Sequence, residues 1–516
     1  MPDSSPRSSS TPPPVTDPSR TGRGGGRATT RSAPRRLLVA GVGLCFCIAF
    51  LSALSQARGL IGPEGIAPAS ALFSYARSAL GPWRAAWALP SVLWLGAGDG
   101  ALAALCLAGF AAGLAAAVGL LHRWALLGAV LLHVSLVAAG DVFWRYQWDA
   151  LLSEAGLLAA LVAPGGLYPD WWRSPPRAPW LVLQLLVVRL VTASGLAKLL
   201  SGDPEWRHLT ALRAHFWTQP LPTPLGILVA RAPARLLDAL CAVTLAVEVL
   251  APLCVLGPRW LRRTGAALLA LLQLSIALSG NYGFFNLLSL VLVLALLDDR
   301  DLGPVGRWVL KGRAPEPAPP SGWPMRIGAG ALAVLGLATS VEGLGGPAPL
   351  APITSALAPL EVVSRYGLFS VMTTRRDEIR LAVSDDGGAW RELRFRYKPD
   401  DRGASWVEPY MPRLDWQMWF AALGPCRASP WFLALAHRLL EGDRMVWELL
   451  ATPAPPSPPR LLASVRRAAS APQPGRAWPV LSTAAEPFCP VLGLREGRLV
   501  AVDVGPPGFE PGTNRL

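Results

Sequence analysis

Five ionisable residues, Asp149, Glu154, Arg189, Lys198 and Glu248, fall within long apolar runs. A charge at the centre of a membrane helix costs about 2.5–3.5 kcal/mol on insertion scales, so each needs a partner or a task. Glu154, Arg189 and Glu248 lie well inside their runs, with Asp149 and Lys198 near the outer ends. Arg189 is 11 residues below Leu200 and Glu248 is 12 below Leu236. At about 1.5 Å per residue the two reach nearly equal depth, so a pair is feasible. Glu154 is shallower, within reach only of a long arginine side chain. Arg189 and Lys198 are nine residues apart on one helix and point to opposite faces, so one polar cluster should not contain both. Two tasks fit these charges. One is an inter-helix ion pair that fixes packing, with Lys198 snorkelling; the other is a ligand or proton site.

The segment DPEWRHLTALRAHFWTQPLPTPLG is the densest polar and aromatic stretch. His208 and His215, seven apart, would share one helix face, with Glu205 three before His208. Three ligands without a fourth make a weak metal site, and an amphipathic helix at the membrane interface fits better. No G-x-S-x-G, H-E-x-x-H or G-x-x-x-x-G-K-[ST] occurs, which removes common hydrolase, zinc-protease and P-loop chemistry. No catalytic residue, metal or cofactor is therefore assigned. Among seven cysteines there is no C-x-x-C. Cys45, Cys47, Cys106, Cys241 and Cys254 lie in apolar runs as small core residues, while Cys426 and Cys489 fall in the polar C-terminal part, their pairing open.

The elements that position these residues follow from composition. The 516 residues are 52% hydrophobic and 16% charged, with a mean hydropathy of +0.36. Ordinary globular chains carry about 25% charge, so a soluble enzyme is nearly excluded. The net charge of +14 would suggest nucleic acid in a soluble protein, but only three of 48 basic residues are lysine. That pattern reflects a GC-rich genome, and the excess suits a membrane protein, so no nucleic acid is expected.

Residues 1–36 form a disordered Arg/Ser/Pro-rich tail, read as cytoplasmic, and residues 37–345 a multi-pass membrane domain. Apolar runs at 37–54, 102–121, 124–139, 148–163, 180–200, 236–256, 264–278, 284–297 and 327–344 give nine expected spans, with an error of about two, each span needing roughly 20 residues. The first run could instead end in a signal-peptidase site at Ser55 and Ala57, but the long tail and later spans favour a retained helix. With the tail inside, the connections at 122–123, 173–177, 259–263 and 300–326 are all inside and all carry arginine. The loop 201–235 falls outside despite its arginines. The odd count puts the C-terminus outside.

After Pro349 the pattern changes. Ile379, Leu381 and Val383 alternate with polar residues, as do Leu393, Phe395 and Tyr397 across an Asp-Asp-Gly-Gly turn, which predicts a β-hairpin with one buried face. Ser429-Pro430 predicts a helix start and Gly442 its stop. Pro453–Pro459 reads as a linker. The fold class is thus a multi-span α-helical membrane protein with a C-terminal extracytoplasmic α+β domain at 350–492, followed by a tail at 493–516.

Several stretches together resemble the lipase maturation factor family: QWDALLSEAGLLAALVAP, GLAKLLSGDPEW, TQPLPTPLG, NYGFFNLL, RYGLFSVMTTRRDEIRLAVSDDGGAWRELRFRYKP and above all PRLDWQMWFAAL. The resemblance runs from Leu37 to Leu492 in consistent order. It implies a multi-span protein with a cytosolic N-terminus and a domain in the endoplasmic reticulum lumen of eukaryotes. It also implies a non-enzymatic role in folding and assembly of secreted clients, lipases among them. The base composition suggests a bacterial source, for which the membrane would be the inner (plasma) membrane. The family's K-P-G-D reads Lys398-Pro399-Asp400-Asp401 here, the late Asn-Pro-Phe and paired Trp are absent, and GFEPGTNRL matches no family feature. A client-contact motif is expected at Arg413, Asp415, Trp416 and Trp419, with Leu414, Met418 and Ala421–Ala422 as its buried stripe. An outer-loop motif is expected at His215, Thr218, Gln219 and Pro220. Two rival readings are an intramembrane enzyme, similar to vitamin K-dependent carboxylase-like membrane domains with Lys198 or Glu154 as acid-base groups, and a transporter built on Arg189 and Glu248.

Overall fold

The computed structural model describes residues 29–166, 170–318, 320–473 and 478–504. Most of the expected N-terminal tail and the GFEPGTNRL end lie outside the described residues. All nine apolar runs are helical: α1 (Ser32–Leu54), α2 (Asp99–Val118), α3 (His122–Ala139), α4 (Gln147–Val162), α5 (Arg177–Leu200), α7 (Ala234–Leu250), α8 (Arg259–Ser279), α9 (Phe285–Val293) and α10 (Trp323–Gly343). The short α6 (Ala211–Thr218) lies in the loop between α5 and α7. Among the described residues seven helices are long and apolar enough to cross a bilayer, within the expected nine give or take two; α4 has 16 residues and α9 nine, short of the roughly 20 that a span needs. The first helix starts at Ser32, so Arg35 and Arg36 belong to it rather than to a tail.

Polar contacts sort the helix ends into two layers. In one, the Ser32 and Ala33 amides donate to Asp299, Ser174 joins Arg31 to Glu316, and Arg262 reaches the Leu296 carbonyl and Asp298. Exposed Trp124, Trp260, Trp308 and Trp323 lie at helix ends of this layer, as in an interfacial aromatic belt. In the other layer the 140–146 and 279–284 loops and the α5–α7 connection meet the C-terminal domain. Short as they are, α4 and α9 also run between the layers: Gln147 accepts from the Gly367 amide, while Arg123 holds the Ala163 carbonyl at the far end.

The C-terminal domain contains an antiparallel sheet in the order β2-β1-β3-β4-β5. β1 (Arg376–Ser384) and β2 (Arg391–Leu393) form the expected hairpin, with Leu381 opposite Leu393. Asp386 accepts from the Gly388 and Ala389 amides in its turn, and Gly387 takes a φ of 81°, a region glycine enters without strain. The second strand is shorter than its alternation suggests: Phe395 bridges Leu450, and the Tyr397 amide turns away to Asp415.

Sequence reading missed β3 (Leu461–Ala469), β4 (Glu486–Arg495) and β5 (Arg498–Ala501), which carry the sheet past residue 492. β3 pairs with β1 from Arg376↔Ala469 to Ser384↔Leu461. Two helices pack with the sheet, α11 (Arg413–Ala422) and α12 (Pro430–Glu441). α12 has the expected bounds, with Gly442 left-handed at its end, but the Ser429 side chain makes no capping bond. Cys426 and Cys489 form a disulfide that ties the turn before α12 to β4.

Candidate functional site

The residues singled out in the sequence converge where the C-terminal domain meets the membrane helices, but with partners other than those expected. α11, made by PRLDWQMWFAAL, is buried almost throughout: Arg413 is 1% exposed, Asp415 3%, Trp416 2% and Trp419 9%. This corrects the reading of Trp416 and Trp419 as edge residues free to touch a client. The helix carries apolar side chains on every face because neighbours surround it, so its 3.6-residue stripe marks no solvent side.

Arg413 does not pair with Asp415. Its guanidinium forks onto Asp149 at the start of α4, at 2.7 and 2.9 Å, and donates to the Phe143 carbonyl at 2.7 Å over the ring of Trp144. Asp415 instead accepts the Tyr397 and Lys398 amides, both at 2.8 Å, and burial raises its carboxyl to about 6 against those bonds. Trp416 packs on Trp148 with centroids 4.9 Å apart. The Trp419 indole donates to the Thr218 carbonyl at 2.8 Å. At the C-terminal end of α1, Ser52 and Gln56 bond the backbone of Met411 and Arg413.

A second anchor lies in the outer-loop motif. Arg376 on β1 donates to the carbonyls of Trp217, Gln219 and Pro220 and pairs with Glu378 at 2.6 Å. Lys398 joins Glu378 from the other side at 2.8 Å. Burial alone would raise the Glu378 carboxyl, but the charges of Arg376 and Lys398 hold it at about 2. Gln219 accepts from the Tyr282 hydroxyl at 2.6 Å and donates to the Ser279 carbonyl, while Thr218 bonds back to Ala214. Asn281 receives the Val407 and Glu408 amides and donates to the Leu221 and Ser405 carbonyls, which satisfies its side chain. Gly283 has a φ of 63°, and a Cβ there would meet Met411 at 2.9 Å, so NYG needs its glycine.

The membrane charges pair in a different combination. Arg189 bonds Glu154 at 2.6 Å, not Glu248, and Lys198 bonds Glu248 at 2.8 Å. Arg189 also reaches Thr339, Ser340 and the Ser364 carbonyl, and Glu154 accepts the Ser364 amide and the Tyr366 hydroxyl. Gly336 makes room: a Cβ there would lie 2.5 Å from the guanidinium. The depth count failed because α7 stands out beyond α5, with Asp238 in an exposed pair with Arg213. Arg189 and Lys198 do lie in separate clusters, as their spacing required.

His208 and His215 do not share a helix. A short helix Pro204–Arg207 ends at His208, Leu209 takes a φ of 61°, and α6 then begins anew. α6 is packed inward rather than lying at the interface, with Leu212, Phe216 and Trp217 buried. No group of three metal-ligand side chains occurs among the described residues. Sequence reading overlooked His133, whose Nδ1 lies 2.9 Å from Ser153 Oγ and whose Nε2 lies 3.7 Å from Asp149. These are the residue types of a serine triad. All three are buried at 0–1% exposure, and Asp149 is already engaged by Arg413. The i, i+4 spacing of Asp149 and Ser153 was the signal that could have found it.

The lipase maturation factor transmembrane domain model matches residues 33–303, and the lipase maturation factor C-terminal domain model matches 362–467. Lipase maturation factor 2 of Gallus gallus is 33% identical, covering 81% of this chain and 74% of its own length. The Homo sapiens protein of that name is 32% identical over 81% and 76%, and lipase maturation factor 1 of Bos taurus 30% over 82% and 81%. No solved structure matches. With both parts matched in order, and with the quoted motifs meeting at one interface, this multi-pass membrane protein belongs to the lipase maturation factor family.

Proposed function

We propose that this chain is a membrane-held, non-enzymatic maturation factor that assists the folding or assembly of secreted clients, lipases first among them. The family match over both domains carries the reading. The C-terminal domain works on the extracytoplasmic side. The Cys426–Cys489 disulfide supports that side, since disulfides persist in oxidising compartments. The opposite layer supports it too, holding the arginine-bearing connections at Arg123, Arg173, Arg259 and Arg307, as the positive-inside rule asks of a cytoplasmic face. The membrane is that of the endoplasmic reticulum in eukaryotic relatives and the inner membrane in a bacterium.

Arg413, Asp415, Trp416 and Trp419 serve this function by holding the domain in place. The client-facing role passes to Phe420 and Leu423, which are 41% and 51% exposed at the end of the same helix. The Arg189–Glu248 pair that a transporter would use is replaced by two separate pairs, which favours the maturation reading over transport. The test is secreted lipase activity from cells producing a client lipase with or without this chain. Removal of the chain should lower active secreted lipase at least fivefold. Phe420→Asp with Leu423→Asp should do the same while the factor stays at its normal level in the membrane. Unchanged lipase activity without the chain would overturn the proposal; an effect of removal but none of the double change would overturn the Phe420–Leu423 assignment.

A further inference from the structure

Beneath the segment Leu368–Phe369 lies a cavity of about 320 Å³ among α5, α6, α7, α8 and α9. That is roughly twice the ~150 Å³ apolar cavity that accepts a benzene ring. Its walls are largely apolar, with Leu190, Leu212, Phe216, Val229 and Phe285 among them. Leu240 on α7 and Ser275 and Leu278 on α8 stand at its rim and are exposed, so it opens sideways between these two helices. The outer faces that flank the opening carry exposed Leu236, Val243, Leu268, Leu271 and Leu274, the surface a helix presents to acyl chains.

The polar groups in the cavity select among amphiphiles. Lys198 Nζ spends its donors on the two Glu248 oxygens at 2.8 Å and the Ser194 carbonyl at 3.3 Å. An ammonium has three donors, so none is left for an anion, and the pair carries no net charge. The hydroxyls of Ser194, Thr244 and Ser275 each donate to a carbonyl of their own helix at 2.8 Å. Burial, with Lys198 nearby, pulls the His215 imidazole down to about 4, so it adds no charge at neutral pH. Gln273 is different. It is 7% exposed, lines the cavity, and its Oε1 has no hydrogen-bond partner. A buried acceptor left unpaired costs about 1–3 kcal/mol, which a donor from a ligand would relieve.

We propose that this cavity holds one acyl chain of a membrane lipid, with an uncharged hydroxyl of the lipid's polar group donating to Gln273 Oε1. The site goes beyond the maturation role and does not rest on it. Lateral opening between α7 and α8 gives the chain entry from the bilayer, and the neutral interior excludes a free fatty-acid carboxylate beside Glu248.

The test uses the full chain in phosphatidylcholine nanodiscs and a monoacylglycerol bearing a diazirine and an alkyne in its acyl chain, with the matching fatty acid as the charged comparison. After irradiation, label should map to the α7 stretch Leu240–Glu248, and the glycerol ester should label at least fivefold more than the acid. Ser275→Trp, which plugs the mouth, should lower labelling at least fivefold, whereas Leu271→Trp on the outer face should not. Gln273→Leu should keep the chain in place and narrow the preference for the glycerol ester to the part that exclusion of the carboxylate beside Glu248 supplies. Label spread over the outer faces and indifferent to Ser275→Trp would overturn the site. Equal or stronger labelling by the fatty acid in the unaltered protein would overturn the assignment of an uncharged head group.

Discussion

Breaking the Arg413–Asp149 pair should loosen the C-terminal domain from the membrane helices. Both side chains are at most 1% exposed, and the contact is a bidentate fork with each oxygen within 2.9 Å of a guanidinium nitrogen. Removing one partner of such a pair strands the other charge, a loss of about 3–5 kcal/mol. Arg413→Leu leaves Asp149 with the His133 ring at 3.7 Å, and Asp149→Leu leaves Arg413 with the Phe143 carbonyl and the Trp144 face. Neither substitute restores a charge pair. At about 1.4 kcal/mol per factor of ten, either change should speed local opening of α11 by roughly two to three and a half orders of magnitude.

Amide hydrogen exchange across Arg413–Ala422 in nanodiscs reads this opening directly. Arg444→Leu is the internal comparison. Its pair with Glu448 is exposed by 82% and 53%, so its loss should cost about 0–1 kcal/mol and leave α11 exchange within roughly tenfold of the unaltered chain. Arg413→Met combined with Asp149→Leu removes both charges and refills the space, and should recover most of the protection. Less than a tenfold change in either single variant would refute the reasoning. So would a double variant equal to the sum of the singles, since groups in contact must couple.

Arg189→Met and Glu154→Leu should each lower the melting temperature in detergent sharply, with strong recovery when combined, whereas Arg189→Met and Glu248→Leu should simply add; coupling in the second pair instead of the first would restore the depth-count assignment. The loop holding Glu408 should loosen as pH rises. Burial raises its carboxyl from the ordinary 4.5 to about 7, and the Tyr282 amide and Asn286 both bond Oε1, which leaves Oε2 free to carry a proton. A carboxyl with a raised folded value stabilises fully below about pH 4.5 and loses that contribution as pH passes 7. Protection at Val407 and Tyr410, taken relative to intrinsic exchange at each pH, should thus fall between pH 5 and 8, and Glu408→Gln should flatten that fall; an unchanged profile in Glu408→Gln would assign the effect elsewhere.

The legible features were those governed by local pattern. Apolar run length marked every membrane helix, and period-two alternation with an Asp-Gly turn marked the β1–β2 hairpin. Unequal lengths hid in the same signal: α4 and α9, with 16 and nine residues, run between the same two layers as the longer helices. β3 escaped because it is buried on both faces, with Leu462, Ala463, Ser464 and Val465 all enclosed, and so shows no alternation. β4 escaped because Pro487 and Pro490 argue against a strand, and the irregular register between β3 and β4 is how the fold admits them. In the site, residue types were readable and partners were not. Each charge was correctly marked as needing a counter-charge, but counting depth from Leu236 assumed that α7 ends level with α5.

The tryptophans show the limit of a local period. The stripe of Leu414, Met418 and Ala421–Ala422 places Trp416 and Trp419 off one buried face, but α11 is wedged between the 140–146 loop and the α5–α7 connection, so its other faces are buried too. A domain attached by one linker would need none of this. Here three separate anchors built on buried charges, Arg413–Asp149, Arg189–Glu154 with Ser364 and Tyr366, and Arg376 on the 217–220 carbonyls, join segments far apart in sequence. Buried pairs of this kind add little net stability over well-packed apolar contacts, but each is costly to leave half-made. They therefore penalise every docked arrangement except the one that satisfies them all. On the proposed reading Phe420 and Leu423 must stand at a fixed height and angle to the membrane, and a geometry set by one buried charge pair and two charge-assisted hydrogen-bond clusters supplies that constraint where an apolar interface could slide.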